Sequence, residues 1–182
     1  MSAPLALRPA RPEDTAALLA LINGYADRGL LLPRSEQSLK ERLPDFTVME
    51  IDGRLAGCGA LSELGPGLGE VRSLAISEDQ AGLGLGHRLV DALLEEAAQR
   101  GFREVLALTR RRSFFERLGF HVTARERYLD KLRADCEACP LNTCCDETAM
   151  VRTPPVRPAR PGAPHEAVAR LSSSSSEGEH AR

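Results

Sequence analysis

Gly82, Gly84 and Gly86 stand at alternate positions, directly after a strand pattern (Glu70 to Ile76) and a polar turn, and directly before a helical pattern. Glycines at a strand-to-helix turn let the backbone lie close to a ligand. The first turn of the helix adds unpaired N–H groups and the positive end of its dipole. Together these hold phosphate oxygens, which is the chemistry open to this stretch. Two common phosphate motifs do not fit. A P-loop needs Lys followed by Ser or Thr after its last glycine, and this chain has His87-Arg88. A dinucleotide fingerprint needs a third glycine where His87 stands. The reading without a ligand is a plain glycine-rich turn.

The elements that must position this stretch can be read in order. Pro12-Glu13-Asp14 opens a helix whose apolar face is Leu18, Leu19, Leu21, Ile22 and Tyr25, with Gly29 as its stop. Ser35 is the expected N-cap of a short second helix. Phe46 to Ile51 turns at Asp52-Gly53 into Arg54 to Leu64, a strong hairpin signal. Gly65-Pro66-Gly67 leads into the central strand. The helix after the glycines carries Leu89, Val90, Leu93, Leu94 and Ala97 at helical spacing and ends at Gly101. Val105 to Thr109 reads as a buried strand, Ser113 to Leu118 as a brief helix, and His121 to Ala124 as the start of another strand.

With 182 residues and a net charge of −2, the chain suits one domain with no strong pull toward nucleic acid. It has no long apolar run and no signal-peptide pattern, so a soluble cytoplasmic protein without a membrane partner is expected. Four of its five cysteines crowd into Cys136–Cys145, which in a reducing compartment suggests thiols or a metal before disulfides. C-x-x-C is common in zinc sites, and Cys136, Cys139 and Cys145 are the candidate ligands; packed thiols or a redox-sensitive disulfide are the alternatives. From Thr153 the composition shifts to Pro, Arg, Ser and Glu, and residues 153–182 are expected to be a disordered tail after a domain over 1–152. Cys58, alone in an apolar strand, is expected to pack.

Ala81 to Gly86 resembles the pyrophosphate loop R/Q-x-x-G-x-G/A of the GCN5-related N-acetyltransferases, with Gly84 and Gly86 in the small-residue positions. Ala81 departs from the usual Arg or Gln, which leaves the loop amides as the phosphate donors. The element order is similar to that fold, an α/β (α+β) architecture with a mixed central sheet and helices on both faces. Four segments further resemble the acetyltransferase domain of the N-acetylglutamate synthase family. They are Gly29 to Ser35, Gly57 to Leu61, Gly69 to Ile76, and Leu108-Thr109 with Phe114 to Phe120. The segment from Asp135 to Met150 looks like the cysteine segment of short bacterial members. The amino-acid-kinase domain of longer members is expected to be absent.

This resemblance implies transfer of the acetyl group of acetyl-CoA to the α-amine of L-glutamate, the entry step of arginine synthesis. A homodimer is the candidate assembly. It implies acetyl-CoA contacts at Leu74, Ala75, Ile76, Ala81, Gly82, Leu83, Gly84, Leu85 and Gly86. A backbone N–H near Leu74 or Ala75 would face the thioester oxygen. Glu70 is the implied proton acceptor, where the residues alone suggest a solvated carboxylate after a glycine turn. Ser73 lines the site by the same comparison. Thr109 maps to a hydroxyl position, as a proton relay or simply a β-branched strand end. Phe115 stands where many acetyltransferases place a Tyr. Arg34 is the leading candidate for a substrate carboxylate, with Arg72 and Arg110 behind it. The other readings are an acetyltransferase for another amine, such as glutamine or a protein N-terminus, and a non-catalytic acetyl-CoA-binding regulator.

Overall fold

The computed structural model describes residues 5–128 and 145–155. Among the described residues seven strands form one sheet in the order β1-β2-β3-β4-β5-β7-β6. The strands are β1 (Leu5–Pro9), β2 (Phe46–Ile51), β3 (Arg54–Gly65), β4 (Leu68–Ile76), β5 (Glu104–Thr109), β6 (His121–Val122) and β7 (Thr148–Arg152). The helices are α1 (Thr15–Ala26), α2 (Glu36–Glu41), α3 (Leu85–Gln99) and α4 (Arg112–Arg117). All neighbours pair antiparallel except β4 and β5, so the sheet is mixed, as expected.

Local chemistry accounts for the main turns. Asp52 and Gly53 both take positive φ (51° and 71°), the turn that suits a two-residue hairpin between β2 and β3. Ser35 caps α2 by accepting from the Ser38 amide at 3.1 Å. Gly101 (φ 75°) ends α3 in the left-handed region.

Two cores lie on opposite faces. On one, Val90, Leu93, Leu94 and Ala97 of α3 pack with Leu61, Val71, Val105, Ala107 and the aromatic residues Phe115 and Phe120. On the other, Leu18 and Ile22 of α1 and Leu39 of α2 pack with Phe46, Val48, Cys58, Ala60 and Ala75. Arg8 ties the first strand to both neighbours, donating to Asp14 at 2.7 Å and to Glu50 at 2.5 Å.

Two strands were not expected. β1 is a five-residue edge strand whose partner, β2, lies some forty positions later, so nothing local announces the pairing. β7 sits within the segment read as a compact cysteine unit, and it inserts between β5 and β6. Cys136, Cys139 and Cys144 and the tail from residue 156 lie outside the described residues. No helix of the described residues is long and apolar enough to cross a membrane.

Candidate active site

The site begins with a fault in the central strand. Ala60 pairs with Arg72 but Cys58 pairs with Ala75, so β4 carries one extra residue, Ser73 and Leu74 together standing opposite Gly59. Ser73 takes a φ of 48°, uncommon for a residue with a side chain. Such a bulge bends its strand and increases the local twist. The parallel ladder between β4 and β5 is correspondingly short: Leu68–Glu104, Gly69–Val105 and Glu70–Leu106. Past Glu70 the two strands part. β4 goes on to Ile76 beside β3, and β5 goes on to Thr109 beside β7. Backbone from Arg72 to Ile76 therefore faces an opening.

Glu70 is the last β4 residue in register and is 5 % exposed. Its Oε2 lies 3.5 Å from Nε of Arg72, which balances the charge of the buried carboxylate. Both residues alternate away from Val71, which packs in the α3 core, and toward the α1–α2 face. There Arg72 lines a cavity of about 180 Å³ together with Arg34, Ser38, Arg42, Ala60 and Ser62. Arg34 reaches it from the segment between α1 and α2, and its Nη2 donates to Ser73 Oγ at 3.4 Å. The Arg34 backbone is held at both ends by one side chain: Asn23 Oδ1 accepts from its N–H at 2.9 Å, and Asn23 Nδ2 donates to its carbonyl at 3.0 Å.

The structure thus brings Glu70, Arg72, Ser73 and Arg34 together. Arg110 is not with them. Its guanidinium donates to Asp146 and, at 2.9 Å, to the Gly29 carbonyl, so it braces the segment after α1 against the start of β7. That bond raises the Arg110 pKa and holds the Asp146 carboxyl below its ordinary range. Thr109 is 8 % exposed at the end of β5 and accepts from the Arg111 amide at 2.9 Å. By alternation it shares a face with Val105 and Ala107, the α3 side, opposite to Glu70.

The glycine turn leads from β4 to α3. Gly82 and Gly84 take φ of 82° and 73°, and a Cβ at either would meet nothing within 4 Å. A side chain at either would point into open space. Gly86 differs: it lies inside α3, where a Cβ would come 3.2 Å from the Phe114 ring. Leu85 and Gly86 head the helix, where no intrahelical carbonyl precedes their amides. Leu74 packs with α3, Ala75 with the α1 core, and the Ile76 carbonyl accepts from the Tyr25 hydroxyl at 2.6 Å. Gln80 bonds its neighbour Asp79 and does not substitute for the side chain missing at Ala81.

Phe115 stacks edge-on against Phe114 and Phe120, each at a centroid distance of 5.1 Å, as a hydrophobic core residue. Cys58 is fully buried, and desolvation pushes its thiol up to about 12. Cys145 receives a hydrogen bond from Arg125 at 3.0 Å. Among the described residues no three His, Cys, Asp or Glu side chains cluster as metal ligands. Ser38, Arg42 and Ser62 line the cavity without having been singled out from the sequence. They come from α2, the turn after it and β3, and only the packing of α2 on the sheet unites them.

A seven-stranded mixed sheet opened beside a bulge, with a glycine turn at the opening, defines a class. Residues 16–120 match the acetyltransferase (GNAT) family, and the chain belongs to it. An uncharacterized N-acetyltransferase of Chlorobaculum tepidum is 36 % identical over 147 residues, covering 81 % of this chain and 95 % of that protein. The amino-acid acetyltransferase of Mycobacterium tuberculosis is 38 % identical over 117 residues, covering 63 % of this chain and 67 % of that one. The structure of N-acetylglutamate synthase from Neisseria gonorrhoeae complexed with coenzyme A and N-acetyl-glutamate matches with a TM-score of 0.76 and 27 % identity. That match covers 85 % of this chain but only 36 % of the synthase chain.

Proposed function

We propose that the chain transfers the acetyl group of acetyl-CoA to the α-amine of L-glutamate, giving N-acetyl-L-glutamate for arginine synthesis. The observation that carries this reading is a cavity lined by Arg34 and Arg72, with the Glu70 carboxylate 3.5 Å from Arg72 at the last rung of the β4–β5 ladder. A proton acceptor and two guanidinium groups at the edge of a sheet opening suit an amine that carries carboxylates. The gonococcal synthase, complexed with coenzyme A and N-acetyl-glutamate, supports the same reading by its likeness.

Each group then has a task. The amides of Gly82 to Gly86 and the head of α3 take the pyrophosphate of acetyl-CoA. The acetyl-bearing end enters the opening, where a backbone N–H of Leu74 or Ala75 donates to the thioester oxygen as charge develops there. Arg34 holds a substrate carboxylate, with Arg72 across the cavity. The ammonium group loses a proton to Glu70, directly or through a water, and the free amine attacks the carbonyl carbon. A tetrahedral intermediate collapses, the C–S bond breaks, and the CoA thiolate leaves. With a thiol pKa of about 8.5 it needs no strong acid. In this reading Thr109, at the end of β5, relays a proton toward sulfur.

Release of free CoA, followed with each amino acid in turn, tests the reading. L-Glutamate should give the highest kcat/KM. Preference for glutamine or a peptide N-terminus would move the activity to another amine, and CoA binding without turnover on any amine would leave a regulator.

A further inference from the structure

In the segment from Asp27 to Ser35 only Leu31 packs against the α1 core. Leu30 and Leu32 are 53 % and 41 % exposed. Polar tethers add to that one contact. Arg110 donates to the Gly29 carbonyl, and Asn23 binds both the N–H and the carbonyl of Arg34. A carboxamide offers a donor and an acceptor on one planar group, so this pairing fixes both the position of Arg34 and the tilt of its peptide planes. Asn23 is itself well founded. Its helix buries Leu18 and Ile22, and two residues on, the Tyr25 hydroxyl donates to the Ile76 carbonyl at 2.6 Å, at the end of β4. Asn23 therefore transmits the place of β4 to the backbone that carries Arg34.

We infer that Asn23 is a positioning residue: its carboxamide aims the Arg34 guanidinium at Ser73 and the cavity and so sets the affinity for the amine substrate. The inference rests on the reading of Arg34 as the carboxylate anchor. Asn23 touches no reacting atom; it acts through Arg34, and its loss should therefore disturb amine binding alone.

The experiment uses the full chain with L-glutamate and acetyl-CoA. Asn23→Ala should raise the glutamate KM by on the order of tenfold, the scale of two lost hydrogen bonds. Its kcat and its KM for acetyl-CoA should stay within about twofold of the parent, since neither depends on an anchor used for amine binding. Asn23→Asp keeps the acceptor for the Arg34 N–H and loses the donor, and should fall between. The double variant with Arg34→Ala should have no higher a KM than Arg34→Ala alone, because the two groups act as a unit. An unchanged glutamate KM in Asn23→Ala, with a raised one in Arg34→Ala, overturns the inference and spares the anchor. Additive losses in the double variant overturn it, as does failure of both Asn23 variants to fold, or a loss spread equally over kcat and both KM values. An Arg34→Ala variant with the parent KM instead sinks the anchor reading itself.

Discussion

Glu70 combines features that a surface carboxylate lacks: it is buried, ends the β4–β5 ladder and has a guanidinium alongside. Replacing it with Gln keeps the shape and removes the proposed proton acceptor. The Glu70→Gln variant should lose roughly 10²-fold or more in kcat at neutral pH. Raising the pH should recover part of the loss, because more of the amine is then already deprotonated. A pH–rate profile of the two proteins checks this, and a fully active variant would leave water as the acceptor. Cys58 makes the opposite case. With its thiol pushed up to about 12 by burial, it stays protonated and inert at neutral pH. A raised acid pKa stabilises the fold below the unfolded value of 9.0, and that contribution drains away as the pH climbs from there toward 12. Alkylation of the native protein at pH 8 should therefore spare Cys58, while alkylation in denaturant should label it; mass spectrometry of the peptides distinguishes them.

At the scale of elements, the turn from β4 to α3 carries the next expectation. A side chain at Gly84 meets no atom in the protein, yet its φ of 73° strains any L-residue. Gly84→Val should therefore fold with a modest loss of stability and, on the proposed loop assignment, lose most of its affinity for CoA in calorimetry. CoA bound as tightly as by the parent would remove the loop from the site. This turn was legible from spacing alone, as were the β2–β3 hairpin and the register of α3, because each is dictated by neighbours in sequence. The bulge was not. Serine is no marker of a positive φ, and the fault at Ser73 exists only relative to β3. For the same reason Arg34 could be singled out from its segment, while Asn23, Arg42 and Ser62 could not: their tasks depend on which surfaces meet. Arg110 shows the same limit, since a guanidinium next to a strand end reads alike in sequence whether it faces a substrate or a carbonyl and Asp146.

For the whole molecule, Arg8 links the amino-terminal strand to the start of α1 and to β2 through Asp14 and Glu50. Its hydrogen bonds hold both carboxyls below their ordinary range. A depressed carboxyl pKa adds stability above the unfolded value, and that stability is lost as the pH falls through the folded one. The midpoint of thermal unfolding should therefore drop as the pH is taken below about 4. Arg8→Ala should start lower at neutral pH and drop less steeply, which a pH series of melts would read directly.

The opening between β4 and β5 also has a mechanical meaning. It is a notch cut into a plate, and a notch concentrates load at its root, here the Glu70–Leu106 pair. The rungs behind that root are few, and they are parallel, the weaker kind per residue. Pulled from its two ends, the molecule should crack there first and split into a four-stranded piece, β1 to β4, and a three-stranded one, β5 to β7, with α3 as the leash between them.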